Sequence, residues 1–131
     1  AAAHRLERSA LERAMELYSG PPDLASTDDL AAELRGHEVA TAFERLSTRL
    51  GHLLEAQEPD AASAHYRRSL VRSPLAGELW AGLLRCEARQ GGRAGLEQAW
   101  QRLVHQYQQA LEVDPSAELV ETYRQLAEAV P

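Results

Sequence analysis

Five histidines, one cysteine and fourteen arginines are the side chains of this 131-residue chain most able to do chemistry. The histidines are placed badly for a metal. His37-Glu38-Val39-Ala40-Thr41 begins like the zinc-protease helix motif but carries Thr41 where a second histidine is needed. His37 and His52 would stand about 22 Å apart on one helix, too far to share an ion. The histidines are therefore read as packing or solvated residues, with no metal expected. Gly91-Gly92-Arg93-Ala94-Gly95 resembles a phosphate-cradling loop, yet it lacks the Lys-Ser/Thr ending and a preceding strand, and a helical-hairpin turn is the better reading. Cys86 has no Cys-x-x-Cys partner, and no Gly-x-Ser-x-Gly elbow occurs, so Cys86 reads as a packing thiol. Asp28-Asp29 at a helix start suits the macrodipole rather than an acid/base pair. No catalytic residue and no cofactor is expected.

The arginines are different. Arg45 and Arg49 form one i, i+4 pair, Arg85 and Arg89 form another, and His52 follows the first by three residues. Each pair shares a helix face. Guanidinium groups clamp carboxylates bidentately, so these five residues are expected to line a partner groove suited to an acidic peptide or a partner's C-terminus. The competing expectation is internal pairing with Glu44, Glu55, Glu78 or Glu87, which solvates a face and contributes only about 0–1 kcal/mol per exposed pair.

These residues must be positioned by helices. Leu6, Ala10, Leu11, Ala14, Leu17 and Tyr18 make one apolar face, predicting a helix over about 4–19 that stops at Gly20-Pro21-Pro22. Ser26-Thr27-Asp28-Asp29 supplies caps for a long helix to about Gln57, with Leu30, Leu34, Phe43, Leu46, Leu50, Leu53 and Leu54 as its stripe and Gly36 as the expected bend or break. A third helix starts on Pro59 and ends at Arg72, a fourth follows Ser73-Pro74 to about Gln90, a fifth spans about 93–111, and a sixth runs from Ser116 to Ala129. No segment alternates with period two, so the fold class is all-α with about six helices.

Two of these hairpins repeat. Leu50 aligns with Leu83, Ala62 with Leu96 and Tyr66 with Trp100, at offsets of 33 to 34 residues, the tetratricopeptide period. A hairpin array of this kind buries its apolar faces only by stacking, so Trp80 is expected to plug the junction between hairpins and Pro74 to fix the re-entry angle. The first helix of each hairpin would line the concave side, which puts the arginine pairs there.

Composition narrows the partners. The chain fits one domain, 1–131. Its net charge of −6 repels the phosphate backbone, so no direct nucleic-acid binding by the surface of this chain as a whole is expected, and any DNA contact would need its own basic patch. The longest apolar or Gly run is Leu79 to Leu84, far short of the ~20 residues of a membrane span, so no membrane contact is expected. The lone Cys86 fits a reducing cytoplasm. Lys, Asn and Ile, whose codons are AT-rich, are absent, which points to a GC-rich bacterial genome. The chain begins in a helical pattern without an initiator Met, as a piece of a longer protein would. Leu6, Leu11 and Val130 would leave an uncapped apolar face, and self-association as a homodimer is expected of the isolated chain.

An Ala-x-x-Leu-Tyr-x-Gly helix (Ala14, Leu17, Tyr18, Gly20), a long second helix, one hairpin and a final Asp-Pro-Ser-x-Glu-Leu-x-x-x-Tyr segment (Asp114, Pro115, Ser116, Glu118, Leu119, Tyr123) follow in order. From about Leu11 to Leu126 the chain resembles the bacterial transcriptional activator domain, the tetratricopeptide-like module of antibiotic-pathway activators. The resemblance implies a non-enzymatic regulatory module acting through protein contacts, with another protein or another domain of the same chain as partner. In that family the module usually follows a winged-helix DNA-binding domain and contributes to oligomerisation. This chain carries no strand pair and no basic recognition helix, so DNA binding is not carried over. The same module also occurs in large proteins unrelated to promoters, which makes a scaffold or sensor domain the alternative.

Overall fold

The computed structural model describes residues 2–18 and 29–131. The Gly20-Pro21-Pro22 stop and the Ser26 to Asp28 caps lie outside them, as do the side chains of Leu6, Leu17, Tyr18, Asp29 and Leu30. Among the described residues every regular element is an α-helix: α1 (Ala2–Tyr18), α2 (Asp29–Gln57), α3 (Pro59–Arg72), α4 (Gly77–Leu111) and α5 (Ala117–Ala129). Gly36 neither breaks α2 nor meets a neighbour that would demand a glycine.

The expected six helices are five. Gly91-Gly92 was expected to separate two helices, but a single non-helical residue, Gly92 at φ 62° and ψ −150°, joins two limbs of α4. Only glycine reaches that backbone region without strain. The limbs fold back sharply, since a Cβ on Gly95 would lie 2.8 Å from the Glu87 carbonyl oxygen. Eight residues of straight helix would instead separate those positions by about 12 Å.

Sequential elements pack as neighbours, and α2 also packs on α4. A single residue, Glu58, connects α2 to α3, so that pair is an antiparallel hairpin with Pro59 in the first turn. The core runs through all five helices, from Leu11 on α1 through Leu50, Leu54 and Leu70 to Leu83, Leu96 and Leu103 on α4 and Leu119 on α5. Leu11, expected at an uncapped outer face, is thus a core residue, and Val130 packs partly against the same cluster.

The Ser73–Ala76 turn shows why a proline and a tryptophan flank it. Ser73 closes α3 through its amide to the Ser69 carbonyl, and α4 begins at Gly77. The turn's carbonyls would otherwise lie unpaired beside buried apolar surface. The buried Trp80 donates its indole N–H to the Pro74 carbonyl at 2.8 Å, and the Tyr107 hydroxyl donates to the Leu75 carbonyl at 2.9 Å. Beyond Leu111 the chain ends α4 on Glu112 in the left-handed region, and α5 restarts under a Ser116 hydroxyl that accepts from the Leu119 amide. Trp100 stacks on Tyr123 at 4.5 Å between ring centres, which seats α5 on the second limb of α4.

Candidate functional site

The joint where α2, α3 and α4 meet is built around one ring. Tyr66 on α3 is fully buried and lies between Gly51 of α2 and Gly82 of α4. A Cβ on Gly51 would come 2.3 Å from the Tyr66 Cε1 atom, and one on Gly82 would come 2.2 Å from Cζ. Both glycines are therefore required by close approach. They let three helices press onto a flat aromatic side chain that any larger residue would displace.

The hydroxyl of that ring sets the electrostatics. Tyr66 donates to a Glu55 Oε2 at 2.7 Å, while Arg85 holds the same carboxylate bidentately, with Nε to Oε1 at 2.9 Å and Nη2 to Oε2 at 3.0 Å. Burial pushes the Glu55 carboxyl up, but the hydrogen bonds from Arg85 and Tyr66, together with the charges of Arg85 and His52, hold it below the usual carboxylate range. Glu55 in turn raises Arg85, and burial with the Glu55 contact raises the Tyr66 phenol. Arg89 reaches the backbone carbonyl of Glu55 at 3.5 Å. Two of the five residues read as a partner groove therefore converge on one glutamate of the neighbouring helix.

The other three are brought together elsewhere. Arg45, Arg49 and His52 lie on the face of α2 that also presents Thr41 and Thr48, and the start of α4 forms the opposite wall. The open cavity between them measures about 480 Å³. Arg49, 69% exposed, pairs with Glu7 of α1 at 3.0 Å, whereas no ion pair holds Arg45 among the described residues. Glu44 and Glu78 line the same space. No side chain caps the first turn of α4, so the positive end of its dipole stands at this cavity unopposed except by Glu78.

Two buried titratable groups lie outside both places. Desolvation lowers His65, whose Nε2 donates to the Ser47 carbonyl at 2.7 Å, favouring the neutral ring. Burial pushes the Cys86 thiol up to about 11, which leaves little thiolate at neutral pH. Among the described residues no three His, Cys, Asp or Glu side chains gather as a metal would need.

Reading from sequence missed the ring between two glycines. Its signal was present, since Gly51 and Gly82 each sit inside a helix, where glycine costs about 1 kcal/mol relative to alanine unless packing requires it. Gly77, at the mouth of the cavity, carried no signal beyond its place after a proline turn.

No helix among the described residues is long and apolar enough to cross a membrane. No curated protein and no solved structure matches the chain. The family model described as the bacterial transcriptional activator domain matches residues 1–127. That span takes in the joint around Tyr66, both arginine pairs and all but the last two residues of α5, and this chain belongs to the bacterial transcriptional activator domain family.

Proposed function

We propose that the chain is a non-enzymatic interaction module of a transcriptional regulator, and that it takes an acidic protein segment at the cavity between α2 and the start of α4. One observation carries the reading: Arg45, Arg49 and His52 share that cavity with an uncapped helix N-terminus. Arginine presents fixed donors to carboxylates, and a helix start adds partial positive charge. Arg45 and the exposed Arg49 are the recognising pair. Arg85 and Arg89, tied to Glu55, hold the wall behind them by joining α4 to α2. Glu44 and Glu78 demand that an occupant direct its carboxylates toward the arginines, which gives orientation as well as attraction. The partner is another protein or another domain of the same polypeptide, and the compartment is the cytoplasm. With a net charge of −6 the chain has no general affinity for the phosphate backbone.

The test is a titration of the 131-residue chain with a fluorescently labelled glutamate-rich decapeptide, read by anisotropy. Arg45→Ala and Arg49→Ala should each weaken binding about tenfold or more, with helical circular dichroism unchanged. Added salt should weaken the wild type in the same direction, as screening acts over roughly 10 Å at 0.1 M. Binding indifferent to both substitutions at matched salt would refute the proposal.

A further inference from the structure

A second, larger depression of about 690 Å³ shares no residue with the first. It lies between α3 and the second limb of α4. On α3, Arg67, Leu70 and Val71 share one helix face, which Pro74 of the following turn extends. On the facing limb, Gln98, Gln101, Arg102 and His105 share a face at i, i+3, i+4 and i+7. The two faces run about two turns, or roughly 10 Å, side by side.

Three features of this groove point to an occupant. Its floor is apolar: Leu70 and Trp80 are buried beneath it, while Val71 on its rim is 86% exposed, the most exposed large hydrophobic side chain of the described residues. Its walls carry Arg67, Arg102 and His105 and not one carboxylate, in a chain whose acidic residues outnumber its basic ones by 20 to 14. Arg67 is shared with Glu87, but no ion pair engages Arg102 among the described residues. Gln98, Gln101 and Gln106 add side-chain amides, each able to donate to and accept from a peptide backbone.

From these features we infer that the groove between α3 and the second limb of α4 docks an acidic peptide segment bearing one bulky apolar side chain. The apolar side chain covers Val71 and Pro74 above Trp80, the carboxylates meet Arg102 and Arg67, and the glutamine amides hold the peptide backbone. The basic walls favour a short acidic segment, while the net charge of −6 on the chain as a whole opposes a second copy or a nucleic acid. Leu70, Val71 and Trp80 distinguish the site from the α2–α4 cavity, which no large apolar side chain lines. The module would then grip two partners, or two segments of one partner, at separate faces.

A panel of labelled acidic decapeptides, identical except for Leu, Ile, Phe, Trp or Ser at the central position, tests this against the 131-residue chain by anisotropy. At least one apolar member should bind about tenfold or more tightly than the Ser member. Val71→Asp and Arg102→Glu should each weaken that binding about tenfold or more, since each removes a desolvated contact or reverses a charge. Both side chains are exposed, and circular dichroism should confirm unchanged folding. Arg45→Ala and Arg49→Ala should leave the apolar preference intact. No apolar preference across the panel overturns the inference. So does an apolar preference that responds to Arg45 and Arg49 but not to Val71 and Arg102, which would leave the proposed α2–α4 site standing alone. Self-association of the free chain, measured by light scattering and abolished by Val71→Asp, would give the groove to a second copy and overturn it as well.

Discussion

Arg85 and Arg89 on α4 and Arg45 and Arg49 on α2 share a residue type, an i, i+4 spacing and a helix face, yet they end in different surroundings. The first pair is drawn onto Glu55, whose carboxylate is already committed to Tyr66. The second stays at an open cavity, with Arg49 reaching Glu7 and Arg45 engaged by no ion pair among the described residues. Nothing in the arginines themselves decides this. The deciding feature is the neighbouring helix: Glu55 sits one turn from Gly51, where close packing on Tyr66 brings α2 and α4 within reach of each other. Half-buried, hydrogen-bonded and bidentate, one arginine becomes structure, while its counterpart stays exposed at the surface.

The largest expected effect removes the ring that creates the difference. Tyr66→Ala should cost about 3–5 kcal/mol, as loss of a buried aromatic leaves a cavity where three helices meet. Denaturant unfolding followed by circular dichroism measures it. Gly82→Ala should cost about 1–3 kcal/mol, because its Cβ would sit 2.2 Å from a ring with no room to move. In the Tyr66→Ala background that cost should vanish or reverse, since alanine is the better helix former and the clash is gone. Additive losses would show that the ring and the glycine do not meet.

The next effect separates the two arginine pairs through the carboxylate. Glu55→Ala strands the Tyr66 hydroxyl and removes the Arg85 anchor, and should cost about 1–3 kcal/mol. Substituting Glu7, the exposed partner of Arg49, should cost less than about 1 kcal/mol by the same measurement. Equal costs would mean that the α4 pair is no more structural than the α2 pair.

Acid should weaken the fold in two steps with the same sign, the first at His65 and the second at the joint. His65 is depressed below its ordinary value of 6.5 in the folded chain, so its contribution is complete above that value. As pH falls below it the unfolded chain takes up the proton first, and stability declines until the folded-state pKa is passed. Glu55 is likewise depressed below its ordinary 4.5, so its contribution is complete above that value and declines below it as pH falls through the folded-state pKa. Unfolding free energies measured from pH 7 to 3 should therefore fall in a first step that His65→Gln removes and a second that Glu55→Gln removes. A profile unchanged by either substitution would remove the electrostatic half of the contrast.

Much of this organisation was legible in the sequence, for reasons that also explain what was not. The apolar stripes and the Pro59, Ser73-Pro74 and Ser116 punctuation are local, and they marked α3, α5 and the start of α4 to within a few residues. The helix count failed at Gly92, because a glycine pair reads as an end of helix whether the chain leaves it through a loop or turns on one residue. The joint failed for a different reason. Gly51, Glu55, Tyr66, Gly82 and Arg85 lie on three helices, and their roles depend on interhelical distances that no single stripe contains. The spacing of Arg45 and Arg49 was readable, but their separation from Arg85 and Arg89 was not, since only the position of Glu55 draws the two pairs apart.

The smallest expected effect is the most discriminating one for function. Arg45→Ala and Arg49→Ala should each change stability by no more than about 0.5 kcal/mol, because both side chains are exposed and neither covers the core. Helical propensity works slightly in favour of alanine, so the sign of so small a change carries no message. What matters is its size beside that of Arg85→Ala, which leaves Glu55 half-satisfied within the packed joint and should cost about 1–3 kcal/mol. A residue kept at a cavity without contributing to the fold is free to serve a partner, whereas one whose loss unfolds the joint cannot be varied to suit one. Unfolding curves for the three alanine variants therefore sort the arginines before any partner is in hand, and a loss at Arg45 as large as that at Arg85 would make the α2 face structural too.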